Sequence, residues 1–432
     1  MKKSLLVILS LVLVASFVLT ACGTSGESGE EQVTIRFFHK WPEPEQLEYY
    51  NFVIEEFEDA YPNIKVEMEA ASDEAYKDKI RILMASDDVP DIYFSWAGEF
   101  SWKFARAGQA LDLTDAVLNS DWKDKIVMSA VEPFKVGEQI YGIPMRINAK
   151  FMVYNKAMFE EYNLSVPTTW NEFLSVCETL KANGVVPIAF GNEFPWASAH
   201  YVGDFNAKLV NGDTLAADYL LTADPEDLFT DPFYVEALSR FQLLADEGYF
   251  NSGSNAISHS NARSSFIAEQ VAMFYLELEE FATIAQDRGD DWFGFFQLPG
   301  GTGGEGDERL ITGAPDGFMV YGNTKHPEEA ITFLKFLTSP EMGTEYVTRL
   351  GIPSSVVGAT TEDNALATVV EGLEQINQAS GMALWMDTDM DIRIVEVYLP
   401  GMQAVLGGSK TPEQVMQEVH DIAVTVQAQL EE

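Results

Sequence analysis

YGIPMRINAKFMVYNKAMFEEYNLSVPTTWNEFLSVCETLKANGVVPIAFGN, residues 141–192, holds several changes of backbone type in one short stretch. Tyr141-Gly142-Ile143-Pro144 closes a short extended run. Phe151, Met152, Val153 and Tyr154 are apolar and bounded by polar residues, which predicts a buried strand. Lys156 to Tyr162 has helical spacing. A new helix starts at Trp170, with Thr169 as N-cap and Glu172 completing a capping box. Asn183-Gly184 stops it, and Val185 to Phe190 is the next buried strand. Strand, helix and strand in that order describe an α/β domain.

The same alternation runs upstream. Val33 to Phe38, Ile64 to Met68 and Asp91 to Trp96 read as strands, separated by helices over 45–60 and 73–86. That is a doubly wound pattern, and in open α/β sheets ligands sit beyond the C-terminal ends of the strands. Trp41, Glu43 and Trp96 follow strands one and three. Downstream, residues 191–200 read as a polar and aromatic loop holding Trp196. Helices are predicted over 201–221 and 232–247. Met273 to Leu276 and Trp292 to Leu298 read as extended, and Gly300 to Gly306 as a flexible surface turn. The turn lacks the Gly-Lys-Ser/Thr of a phosphate loop. Ala314 to Val320 is extended before a helix running to Leu337. Helices near 362–378, 392–406 and 412–430 complete the chain.

A length of 432 residues exceeds one ordinary core and implies two domains. Hydrophobic content of 47% and charged content of 22% are globular values. The net charge of −41 sets the chain against nucleic acid and anionic membrane surfaces and describes a solubilising acidic exterior. Residues 1–21 read as an export signal, with Lys2 and Lys3 ahead of an apolar run from Leu5 to Leu19. Leu19-Thr20-Ala21-Cys22 resembles the bacterial lipobox, which implies lipidation of Cys22. Residues 22–31 are a Gly/Ser/Glu-rich flexible tether. Cys177, the one other cysteine, falls on the apolar face of the Trp170 helix as a small buried hydrophobe.

Four short runs, taken together, carry a resemblance. Tyr141-Gly142-Ile143-Pro144 is followed by Tyr154-Asn155-Lys156 with Phe159. Val166-Pro167 with Thr169-Trp170 and Glu172-Phe173 comes next, then Gly184 with Pro187. The series resembles the extracellular solute-binding proteins of bacterial ABC importers, in particular the sugar-binding group. Phe57 with Tyr61-Pro62, Pro90-Asp91-Ile92 and Gly108 to Thr114 extend the likeness through the N-terminal part. The resemblance implies a two-lobe, periplasmic-binding-protein-like α/β fold of type II, with the ligand cleft between lobes and about three interlobe crossings. It places lobe I in 32–146 plus 315–352 and lobe II in 149–312 plus 355–432. The crossings fall at Met145 to Lys150, at Ala314 to Val320 and at Gly351-Ile352-Pro353. It further implies a monomer on the outer face of the cell membrane, or in the periplasm where an outer membrane exists. Such a protein hands its ligand to permease subunits by hinge closure and uses no cofactor.

Sugars present apolar C–H faces and rings of hydroxyls, which indoles and paired carboxylates or amides recognise. Trp41, Trp96, Trp196 and Trp385 lie in loops or beside strand ends and are the ligand-facing candidates. Trp102, Trp122, Trp170 and Trp292 read as packing. Arg146 and Asn148 follow Tyr141 to Pro144 at the first crossing, and Asp316 marks the second. Glu277 and Glu279 stand where sugar-binding relatives carry Gly and Trp, which keeps a cationic or other small polar solute open as an alternative. A surface glycoside hydrolase is the rival from another class. No enzyme motif supports it: the five histidines show no metal-ligand spacing and no Gly-x-Ser-x-Gly is present. Asp387-Thr388-Asp389-Met390-Asp391 imitates a calcium loop but has Ile392 where Gly is needed and Tyr398 where Glu is needed. The expectation is a binding protein without catalytic residues or a bound metal.

Overall fold

The computed structural model describes residues 32–86 and 88–431; the signal, Cys22 and the tether lie outside them. β1 (Val33–His39) pairs in parallel with β2 (Ile64–Ala70) and, at its far end, with β3 (Ile92–Trp96). Helix α1 (Pro44–Ala60) joins β1 to β2, and α2 (Asp73–Met84) joins β2 to β3. This is the predicted doubly wound unit, and all five residues of β3 are buried.

β4 (Gly142–Asn155) is one strand where the sequence suggested two pieces. Its first half pairs antiparallel with β8 (Ile311–Val320), up to Ala149 opposite Gly313. Its second half pairs with β6 (Val271–Glu277) and β7 (Phe293–Phe296). β5 (Val186–Ala189) adds parallel to β6, and β9 (Met382–Ala383) to β8. The resulting path is β2-β1-β3-β8-β4-β6-β5. Alternation carries Ile143 and Met145 of β4 into a core with Ile35, Phe37, Phe94 and Phe318. Further along, Phe151 and Val153 enter a core with Phe274 and Phe295, and Met152 enters one with Phe173 and Tyr201. β8 does the same, with Phe318 in the first core and Ile311 in the second. β4 and β8 therefore run from one apolar core to another. Ser354 bridges Arg146 beside them.

Residues 384–386 also join cores: Trp385 belongs to the core of Trp41 and Trp96, and Met386 to that of Tyr201 and Tyr398. The capping box of α3 (Trp170–Ala182) forms as expected between Thr169 and Glu172, and Cys177 is fully buried in its core.

Two expectations are corrected. Residues 196–200 are not loop: α4 (Trp196–Leu209) begins at Trp196, after Pro195, and its residues 197–209 are all buried. Burial on every side erased the amphipathic period that marks a helix in sequence. Nor is Gly300 to Gly306 a loose turn. A Cβ at Gly304 would lie 2.5 Å from Leu209 Cα, and one at Gly306 would lie 2.4 Å from the Ala207 carbonyl oxygen. Arg240 donates to the carbonyls of Gly300 and Thr302 at 2.6 and 2.9 Å. Here glycine permits close packing of the loop on α4.

Candidate functional site

Period-two alternation puts Arg146, Asn148 and Lys150 on one face of β4. All three are buried, with 1–2% of their surface exposed. Three buried polar residues in a strand need partners, and these come from other elements. Arg146 Nε donates to Asp316 Oδ2 at 2.8 Å, and its Nη1 forms an ion pair with Glu279. Asn148 Nδ2 donates to Glu277 Oε2 at 2.7 Å, and its Oδ1 accepts from the Glu279 backbone amide at 3.4 Å. Lys150 Nζ lies 3.3 Å from Glu277 Oε1.

These contacts continue into a closed belt. The Arg146 guanidinium stands 4.8 Å over the Trp41 ring. Lys40 lies between Trp41 and Trp96, 5.8 and 5.0 Å from their centroids. Lys77 of α2 stands 5.2 Å over Trp96 and 3.5 Å from Asp387. Asp387 lies 3.9 Å from His200 Nε2, and His200 Nδ1 lies 3.9 Å from Glu277 Oε1. Glu277 leads back through Asn148 and Glu279 to Arg146. Trp385 and Trp196 flank His200 at 4.5 and 5.2 Å between ring centroids, and Lys150 stands 5.5 Å over Trp196.

Nine of the ten sequence candidates meet here: Trp41, Trp96, Arg146, Asn148, Trp196, Glu277, Glu279, Asp316 and Trp385. Glu43 does not join them. It is exposed at the start of α1, with no side-chain capping bond. Sequence reasoning missed Lys40, Lys77, Lys150, His200 and Asp387. Lys150 was readable by carrying the alternation of Arg146 and Asn148 two residues further, and Lys40 from its place beside Trp41. His200 was hidden by reading its helix as a loop.

Burial splits the two acids of β6 and the turn after it. Burial raises the Glu277 carboxyl, but the Lys150 ammonium outweighs it and holds it down to about 2. Glu279 is pushed up to about 8 by burial, against the pull of Arg146. Burial and the Lys150 ammonium drive His200 well below its ordinary value, so the imidazole is neutral at pH 7. Arg146 stays charged: burial opposes its charge, but Glu279 and Asp316 more than compensate. Because Glu277 and Glu279 already face Lys150, Asn148 and Arg146, a cationic ligand finds no free negative charge between them.

Several buried atoms of the belt have no hydrogen-bond partner: Trp41 Nε1, Arg146 Nη2, His200 Nδ1, Asp316 Oδ1 and Asp387 Oδ1. Arg146 Nη2 lies 2.6 Å from Asp316 Oδ2 without hydrogen-bond alignment. The Tyr50 and Tyr346 hydroxyls are likewise unpartnered. Buried donors and acceptors are rarely left unpaired, so such a group points to a polar ligand or to water. Among the described residues, no group of three or more His, Cys, Asp or Glu side chains is placed to hold a metal ion. No helix among them is long and apolar enough to cross a membrane.

The sequence profile of the bacterial extracellular solute-binding proteins matches residues 41–344. The multiple sugar-binding protein of Streptococcus mutans is 29% identical over 364 residues, covering 83% of this chain and 84% of that protein. A chitin oligosaccharide binding protein superposes with a TM-score of 0.83 at 23% identity, over 92% of this chain and 99% of its own. The solute-binding protein RafE in complex with raffinose superposes with a TM-score of 0.73 at 23% identity, over 91% and 99%. The α/β fold of two lobes is shared with these receptors.

Proposed function

Since the chain belongs to the family of bacterial extracellular solute-binding proteins, we propose that it captures a sugar or short oligosaccharide within this belt and delivers it to an ABC permease. The observation that carries the reading is the set of unpartnered buried atoms, because it mixes donors and acceptors. A hydroxyl both donates and accepts, so a polyol answers both kinds at once. The indoles of Trp41, Trp96, Trp196 and Trp385 supply apolar faces beside those polar groups. The sugar-binding relatives support the same ligand class.

The site residues are those of the belt. Lobe I takes residues 32–146 and 315–352, and lobe II takes 149–312 and 355–432, with Trp385 reaching back to the core of the first. Side chains as buried as Arg146 and Asp316 meet a ligand only when the lobes part. Entry therefore opens the hinge at β4 and β8, and the ligand favours the closed form by touching both sides. The protein works as a monomer held by a lipid on Cys22 and residues 22–31, and it makes and breaks no bond.

The test is a thermal-shift screen of residues 32–432 against raffinose, stachyose, xylotriose, chitotriose and a set of organic cations, with product analysis of each sugar. A ligand at a hundred times its Kd stabilises by about 2.7 kcal/mol. Stabilisation by a saccharide without hydrolysis supports the reading. Stabilisation by cations alone, or release of smaller sugars, overturns it.

A further inference from the structure

His200 sits in the first turns of α4, one helical turn beyond Trp196, so both side chains fall on the same helix face. Its imidazole is packed between Trp385 and Trp196. Those indoles cover the ring and leave its nitrogen edge facing two carboxylates from two other elements. Glu277 comes from the end of β6, and Asp387 from the helical turn Met386–Asp389. Each carboxylate oxygen stands 3.9 Å from one imidazole nitrogen. At that distance no hydrogen bond forms, yet the gap between His200 Nε2 and Asp387 Oδ1 suits one hydroxyl oxygen bonded to both sides. His200 Nδ1 and Asp387 Oδ1 are buried and unpartnered.

The polar groups around the ring are Glu277, Asp387, Lys150, Lys77 and His259. Glu277 is already met by Asn148 and Lys150, whereas Asp387 has only Lys77 at 3.5 Å. A neutral imidazole offers one donor and one acceptor. With its proton on Nε2, it offers a donor toward Asp387 and an acceptor toward Glu277.

We infer that His200 and Asp387 form a saccharide subsite that takes two hydroxyls of the ligand, one on each nitrogen of the imidazole. This rests on the saccharide reading above and deepens it. The first hydroxyl accepts from His200 Nε2–H and donates to Asp387 Oδ1. The second donates to His200 Nδ1 beside the Glu277 carboxylate. The two nitrogens of an imidazole point away from each other, so the hydroxyls they hold are not on adjacent carbons. They come from opposite sides of one sugar ring or from two joined units. His200 and Asp387 thus select for hydroxyl placement along the ligand.

The experiment is calorimetric titration of residues 32–432 with raffinose, stachyose, xylotriose and chitotriose, repeated on His200→Phe, Asp387→Asn and the double variant. Phenylalanine keeps a ring between the two indoles and removes both nitrogens. The expected result is a loss of about 10-fold to 100-fold in affinity for His200→Phe, as two hydrogen bonds imply. Asp387→Asn should weaken binding on its own and add little in the His200→Phe background, because the two share one hydroxyl. Unchanged affinity in His200→Phe, or fully additive losses, overturns the inference and leaves the saccharide reading standing. No binding of any of the four sugars by the unaltered protein overturns both. If His200→Phe does not fold, Asp387→Asn decides: unchanged affinity overturns the subsite, and weaker affinity with an unchanged melting temperature supports it.

Discussion

Arg146 and Asp316 occupy paired positions on adjacent antiparallel strands, β4 and β8, at the point where their register shifts. Two guanidinium nitrogens, Nε and Nη2, reach the same carboxylate oxygen at 2.8 and 2.6 Å. The next residue, Gly317, lies so close to β4 that a Cβ there would stand 2.2 Å from the Ile143 carbonyl oxygen. The two strands that run between the cores are thus joined by a buried ion pair, next to a backbone approach too close for a side chain at Gly317.

Removing one member of that pair strands the other. Arg146→Leu leaves the Asp316 carboxylate buried without its cation, and the expected loss of unfolding free energy is about 3–5 kcal/mol. Urea unfolding checks this. A loss below about 1 kcal/mol, as for an exposed pair, would contradict the burial described.

The two acids next to the pair act in opposite directions with pH. An unfolded Glu279 has the ordinary carboxylate value, whereas the folded one is raised to about 8. Between those values the folded state holds a proton that the unfolded state releases, so stability falls as pH rises through the window. The slope from one such group is at most about 1.4 kcal/mol per pH unit. Glu277, held down to about 2, contributes stability that is full above the ordinary carboxylate value and is lost as pH falls toward 2. Urea unfolding across the pH range should show Glu279→Gln flattening the upper slope and leaving the acid limb. A Glu279→Gln curve parallel to that of the unaltered protein above pH 5 would contradict the assignment.

The belt tryptophans are not equivalent. Trp41 is 5% exposed and packs edge-on against Phe94 and Phe318. Trp41→Ala should cost about 3–5 kcal/mol of stability along with ligand affinity. Trp196 is only partly buried, at the first position of α4. Trp196→Ala should cost about 1 kcal/mol, near the centre of the range for single substitutions, while weakening binding. Denaturant midpoints beside titrations separate the two cases. Equal stability losses would show that Trp196 is core.

How much of this was legible in the sequence follows from the physics of each part. β1, β3 and α3 announce themselves by alternation, apolar runs and a capping box, all local signals. The placement of Trp41 and Trp96 followed from the doubly wound rule, and that of Arg146 and Asn148 from the crossing strand. Glu43 obeyed the same placement rule, yet it faces solvent at the start of α1. His200 was lost because a helix buried on all sides has no polar stripe to betray its period. Asp387 read as a failed calcium loop, since only folding brings Lys77 and His200 beside it. The partnerships of Lys77, His200 and Asp387 join residues far apart in the chain, and no local pattern encodes them.

The most direct test of the central claim is tryptophan fluorescence of residues 32–432 titrated with raffinose, stachyose, xylotriose and chitotriose. Trp41, Trp96, Trp196 and Trp385 all belong to the belt, so a saccharide bound within it must change their surroundings. The account predicts a saturable change with at least one of these sugars, at one molecule per chain, that is lost in Arg146→Leu and shifted to higher sugar concentration in Trp196→Ala. No saturable change with any of them would contradict it.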